Sequence, residues 1–180
     1  IAILSGGFGG GWSALYKMAQ SYGIEMTEAE AEQTIRDFRA ARPRLVMAWR
    51  EFGNAALEAV RNPGRPALVR SNVRFKFQML SRHLAMLLPN GRKLWFPFAE
   101  VREVETPWGE MREAVTAMWV DNYTRKWSRR AIIGSNFFQS AVQGLSRDVL
   151  MESQLRLDPV FPIILSIHDE ALSHHPDDPA

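Results

Sequence analysis

The hydrophobic period changes twice along this 180-residue chain, and that change bounds the fold more tightly than any single motif. From Trp12 to Val60 apolar residues recur at helical spacing. Trp12, Leu15, Tyr16 and Ala19 form one stripe, and Ala31, Ile35 and Phe38 a second. Leu45, Val46, Trp49, Phe52, Ala56 and Val60 form a third. Over Val73-Arg74-Phe75-Lys76-Phe77 the pattern becomes alternating, which suits a strand. From Phe137 to Leu157 it returns to a helix about 30 Å long, with Phe138, Val142, Leu145 and Val149 as the apolar stripe. A buried strand over about 160–167 follows. Helices leading into short strands, with no βαβ alternation, predict an α+β fold carrying a small antiparallel sheet.

Local signals set the boundaries. Thr27-Glu28-Ala29-Glu30 is a capping box, Pro43 suits the first turn of the next helix, and Asn62-Pro63-Gly64 stops it. Leu88-Pro89-Asn90-Gly91-Arg92 reads as a turn before Leu94-Trp95-Phe96. In Ser5-Gly6-Gly7-Phe8-Gly9-Gly10-Gly11, each glycine costs about 1 kcal/mol in a helix relative to Ala, so no regular helix is expected there unaided. Glycines do let backbone approach a flat partner closely.

Composition excludes some chemistries. Absence of cysteine rules out disulfides and thiolate metal sites. No run of eighteen apolar residues is present, so no membrane helix is expected. A net charge of +2 argues for no particular partner, but Arg125, Lys126, Arg129 and Arg130 crowd together, either to meet phosphates or as a solvated face. The chain opens at Ile1 and ends at Ala180, a few residues past the ionisable cluster described next. We expect it to be part of a longer polypeptide or one piece of a split one.

Four constellations carry candidate chemistry. His168-Asp169-Glu170 follows an apolar run, where it is either a polar turn or a site presenting carboxylate oxygens to a hard cation such as Mg²⁺. Gln139, Gln143 and Arg147 lie four apart. Carboxamides on such a face meet the acceptors that every base pair shows in the minor groove, or else they are simply solvated. Phe8 among glycines is either a base-stacking ring or a buried anchor, in a loop that lacks the P-loop ending. His174-His175 with Asp177-Asp178 forms a crude metal tract or a plain tail.

In order and spacing these pieces resemble the family A DNA polymerases, the phage-type members in particular, over nearly the whole chain. Ile1 to Gly7 is similar to the apolar stretch of that family's fingers helix, with Phe8-Gly9 where its Tyr-Gly pair falls; the family's lysine would sit immediately before Ile1, outside this chain. Met26 to Glu32 and Phe38-Arg39-Ala40-Ala41-Arg42-Pro43 resemble its acidic helix and Arg-x-x-x-Pro pattern, followed by Trp49 and Ala55-Ala56. Leu88 to Arg92 is close to its Leu-Pro-Ser-Gly-Arg turn. Gln143-Gly144-Leu145-Ser146-Arg147-Asp148 resembles the palm helix, and Ile167-His168-Asp169-Glu170 the Val-His-Asp-Glu motif.

The resemblance implies a right-hand polymerase, with residues 1–65 as a fingers segment and 66–180 as part of the palm. It implies template-directed addition of deoxynucleotides to a primer 3′-OH, with two Mg²⁺ ions. Asp169 would be a catalytic metal ligand and Glu170 an auxiliary acid. His168 would contact the primer, Gln143 and Gln139 the minor groove, and Phe8 with Gly9 the templating base. Partners would be primer-template DNA, deoxynucleoside triphosphates, and an upstream portion or second chain. The setting would be the cytoplasm of a bacterial host, the protein phage-encoded. Phe8 lacks the phenolic hydroxyl of the usual tyrosine. The Asp-x-Ser-x-x-Glu motif with the first catalytic aspartate is absent and would lie upstream, so the isolated chain is expected to be inactive. Two rival readings are a metal-dependent hydrolase or nuclease using Asp169, Glu170 and the nearby histidines, and a non-catalytic DNA-binding remnant.

Overall fold

The computed structural model describes residues 1–106, 109–121 and 124–174. The chain forms two compact units, Ile1–Ser140 and a second from Ala141 on. The first opens with four helices, α1 (Ala2–Gly7), α2 (Trp12–Ser21), α3 (Glu28–Ala40) and α4 (Pro43–Arg61). Two antiparallel sheets follow. One joins β1 (Ala67–Leu68), β2 (Lys76–Leu80), β3 (His83–Leu87) and β4 (Lys93–Phe96) in chain order. The other joins β5 (Glu100–Glu105), β6 (Met111–Val120) and β7 (Trp127–Ile132). Helix α5 (Gly134–Leu157) begins in this unit and continues into the second, which adds the hairpin β8 (Ile163–Ile167) and β9 (Glu170–Ser173). Helices and antiparallel sheets together make the chain α+β. No described helix is long and apolar enough to cross a membrane.

An aromatic cluster forms the centre of the first unit. The Phe52 ring on α4 lies 5.3 Å from Phe75 and 5.5 Å from Phe138, while Phe137 sits 5.2 Å from Phe77 and 4.8 Å from Phe96, mostly edge to face. Edge-to-face geometry sets the positive ring edge against the negative face of its neighbour. α4 therefore joins the helical and β-rich stretches in one core, and the division between the two compact units falls at Ser140. Arg61 on α4 pairs with Glu113 on β6. The Ser71 N–H donates to the Glu51 carboxylate at 2.6 Å, tying α4 to the loop before β2.

Four expectations need correction. The alternating stretch at 73–77 is strand only from Lys76. Asn72 captures the backbone ahead of it, with the Phe75 N–H donating to the Asn72 carbonyl and the Arg74 N–H to the Asn72 side chain. The glycine run does form a helical turn, α1, because Phe38 lies over Gly6 so closely that an added Cβ would be 2.8 Å from its ring. On α5 the buried apolar side chains are Phe137 and Ala141, with Val142 and Val149 exposed. The inward face thus lies one residue, or about 100°, from the expected stripe. The last apolar strand starts at Ile163, after a turn in which the Val160 and Phe161 N–H groups donate to the Leu157 carbonyl. That strand is not buried either, Ile164 being 68% exposed.

Gly134 packs so tightly on α4 that a Cβ there would overlap the Trp49 carbonyl. Gly134→Ala is expected to destabilise the chain by about 2–3 kcal/mol, because helix backbone cannot yield as a side-chain tip can. Gly7→Ala, with no atom within 4 Å, is expected to be neutral or stabilising. Urea denaturation of both variants checks the pair. The capping box on α3 gives a pH test. The Thr27 backbone N–H, and after it the hydroxyl, donate to the Glu30 carboxylate, each at 2.8 Å, and hold its pKa below the ordinary 4.5. The folded value is the lower one, so the stabilisation is present above the unfolded pKa and lost as pH falls through the folded pKa. Amide-exchange protection of α3 is expected to fall across that acid window, and Glu30→Gln to remove the dependence.

Candidate functional site

Asp169 owes its position to a two-residue connection. β8 and β9 pair antiparallel with Ile167 opposite Glu170, so His168 and Asp169 alone form the tip. Short hairpin loops of this kind need positive φ at the first central residue to match strand twist. His168 supplies it at φ +52, a conformation that costs a non-glycine residue about 1–2 kcal/mol. An extra residue on β8 between Ile163 and Leu165 makes a bulge, which adds local twist. The strand ends before Asp169, so strict alternation does not set Asp169 and Glu170 on opposite faces. Asp169 lies in the turn and Glu170 opens the next strand.

Within the same unit a polar contact fixes β8. Gln154 on α5 is buried, and its amide donates to the Ser166 hydroxyl at 2.9 Å, three residues before the acidic tip. The Asp158 carboxylate accepts from the Ile163 N–H at 2.8 Å and anchors the entry to the strand. Gln154 was missed in the sequence. The available signal was a glutamine with Leu150, Met151 and Leu157 among its helical neighbours. Gln143 and Arg147 lie exposed on α5, and Gln139 is half-buried one turn earlier. His168, Asp169 and Glu170 are all exposed.

Asp169 and Glu170 stand side by side in sequence, but among the described residues no three His, Asp or Glu side chains gather as a metal ion would require. The donors present match a share of a Mg²⁺ site and not a complete one. Of the tract His174-His175-Asp177-Asp178, only His174 is described, and the other three lie outside the described residues.

The glycine loop belongs to the first unit. Phe8 is 51% exposed, which removes the buried-anchor reading and leaves its ring free to stack. Gly9 has φ +78, and a Cβ there would strike the side chain of Ser135. Glycine is therefore required by this contact whatever else the loop does. The basic cluster lies on β7 and the turn before it. Arg129 is spent on Glu100 at 2.9 Å and on the Phe98 carbonyl, and Arg130 on Asp121 at 2.5 Å.

Comparison with known proteins agrees with this picture at a coarse level. A DNA polymerase of Bacillus phage SP02 is 28% identical over 173 residues, covering 96% of this chain and 26% of that polymerase. The chain is related to a DNA polymerase. It spans about a quarter of the length of the relative it matches. No family model and no solved structure matches it.

The turn geometry makes a local prediction. His168→Val, a β-branched residue at positive φ, is expected to lower amide-exchange protection across β8 and β9 by about tenfold, and His168→Gly to preserve or raise it. Hydrogen exchange of the Ile167 and Glu170 amides measures this directly.

Proposed function

We propose that this chain is the C-terminal fingers and palm portion of a phage-type family A DNA polymerase, of right-hand fold, with fingers over 1–65 and palm from 66. It would add deoxynucleotides to a primer 3′-OH together with an upstream portion, joined covalently or supplied as a second chain. One observation carries the reading. In a chain that aligns over 96% of its length with a phage DNA polymerase, an aspartate sits at the tip of a two-residue hairpin. A carboxylate there is rigidly held, solvent-facing and free of its own strand's pairing.

The roles follow from chemistry. Asp169 would supply one carboxylate to Mg²⁺, and the upstream portion the other. When bound, the metal neutralises charge on the phosphates and on the attacking oxygen. This chain's own residues position the reactants. Gln143 and Gln139 would offer carboxamide donors to the minor-groove acceptors common to all base pairs, which tests duplex shape without reading sequence. His168 would contact the primer terminus, Glu170 would be an auxiliary acid, and Phe8 would stack near the templating base with Gly9 allowing close approach. The apolar surface of the second unit supports a further portion packing against it, since Val149, Leu155 and Ile164 are each at least 66% exposed. The setting would be a bacterial host cell, with the protein phage-encoded.

Primer extension with the chain completed by its upstream portion tests the proposal. Asp169→Asn is expected to lower Mg²⁺-dependent incorporation by about a hundredfold or more, and the isolated chain to show none. His174→Ala should leave extension intact. Robust extension by the isolated chain, or by the Asp169→Asn variant, would refute the assignment, and loss of activity in His174→Ala would favour a hydrolase.

A further inference from the structure

The first unit carries a surface whose chemistry the roles above do not use. β4, β6 and the start of β7 enclose an open cavity of about 400 Å³, lined by Trp95, Trp119 and Trp127 together with Met118 and Arg125. The three tryptophans are 49%, 42% and 60% exposed. An indole is among the largest apolar groups a chain can bury, so three left open on one surface are unusual. They are also held in place. The Met118 N–H donates to the Pro97 carbonyl at 2.8 Å, joining the two sheets, and Trp119 stacks on Phe96 with centroids 6.4 Å apart and planes 24° from parallel. Trp119 thus has one face covered by a ring that is itself buried in the core.

Charge indicates what covers this surface. Arg129 and Arg130 are neutralised by Glu100 and Asp121, as described above. Arg125 and Lys126 are exposed and carry no ion pair among the described residues, and the Lys93 ammonium lies 6.0 Å from the Trp95 ring centroid. Protein interfaces are depleted of lysine at their centres, whereas aromatic faces edged by unpaired cations are the pattern that binds single-stranded nucleic acid. Within a duplex the base faces are stacked on one another and closed to an indole. An unpaired strand has them, with a phosphate for each base.

We infer that Trp95, Trp119 and Trp127 form a stacking platform for single-stranded DNA, with Arg125, Lys126 and Lys93 meeting its phosphates. The inference rests on the polymerase reading to the extent that DNA is the ligand, and it adds a role for residues of the first unit that the acidic hairpin does not supply.

Fluorescence anisotropy of labelled twelve-nucleotide oligo(dT), titrated with the intact chain, tests it alongside a blunt-ended duplex. Trp127→Ala is expected to weaken oligo(dT) binding by about tenfold, and Trp127→Phe to restore most of it. The double variant Arg125→Ala/Lys126→Ala should weaken it too, and should flatten the slope of log K against log salt by roughly 1.4. All three variants should bind the duplex like the parent, which also reports that they are folded. If folded variants bind oligo(dT) with unchanged affinity while the parent binds duplex, the platform is wrong and the polymerase reading stands. If the parent does not bind oligo(dT), the platform is overturned, while the polymerase reading is decided by primer extension with the completed chain. If the substitutions abolish self-association in sedimentation and leave oligo(dT) affinity unchanged, the surface is a protein contact and the inference is overturned.

Discussion

The first unit depends on the approach of two backbones, at Gly134 and at the Trp49 carbonyl and Gly53 on α4. No side chain fits between them, so the start of α5 is fixed against α4. Phe137 and Phe138 then enter the aromatic cluster around Phe52 and Phe77. Dispersion and hydrophobic burial supply the energy of that cluster, and the glycine contact supplies its geometry. The same economy recurs at Gly6 under Phe38 and at Gly9 against Ser135. These three glycines, which look like slack in the sequence, sit where packing leaves no room for a methyl group.

The second unit relies on polar contacts. A buried glutamine amide, a capping carboxylate and a strained two-residue turn locate β8, β9 and the acidic tip. Apolar residues on α5 and β8 remain open to solvent. The tight hairpin restricts the backbone of Asp169 and leaves its carboxylate accessible. The positive φ at His168 is the local cost of that arrangement.

Much of this was legible in the residues. The capping box at Thr27, the proline start of α4, its Asn62-Pro63-Gly64 stop and the Leu88–Arg92 turn all fall where local chemistry placed them, because each is decided within four or five residues. The misses are tertiary. Helical periodicity located α5 but not its inward face, since the choice between Phe137 and Phe138 is made by Phe77 and Phe96, far away in sequence. Alternation at 73–77 gave way to an asparagine side chain competing for backbone N–H groups. The candidate site was readable as a cluster, His168 to Glu170, but the hairpin that presents it was only one of two readings. The contact between Gln154 and Ser166 had no signature beyond an out-of-place glutamine.

The central claim is that the Asp169 carboxylate helps hold a divalent cation beside a primer end. Replacing Mg²⁺ by Fe²⁺ in the completed polymerase bound to primer-template, then generating hydroxyl radicals, cuts the polypeptide only close to the metal. Cleavage at residues 168–170, lost in Asp169→Asn while duplex binding persists, is the expected result. Cleavage elsewhere with none at the hairpin, or an unchanged pattern in the variant, would contradict it.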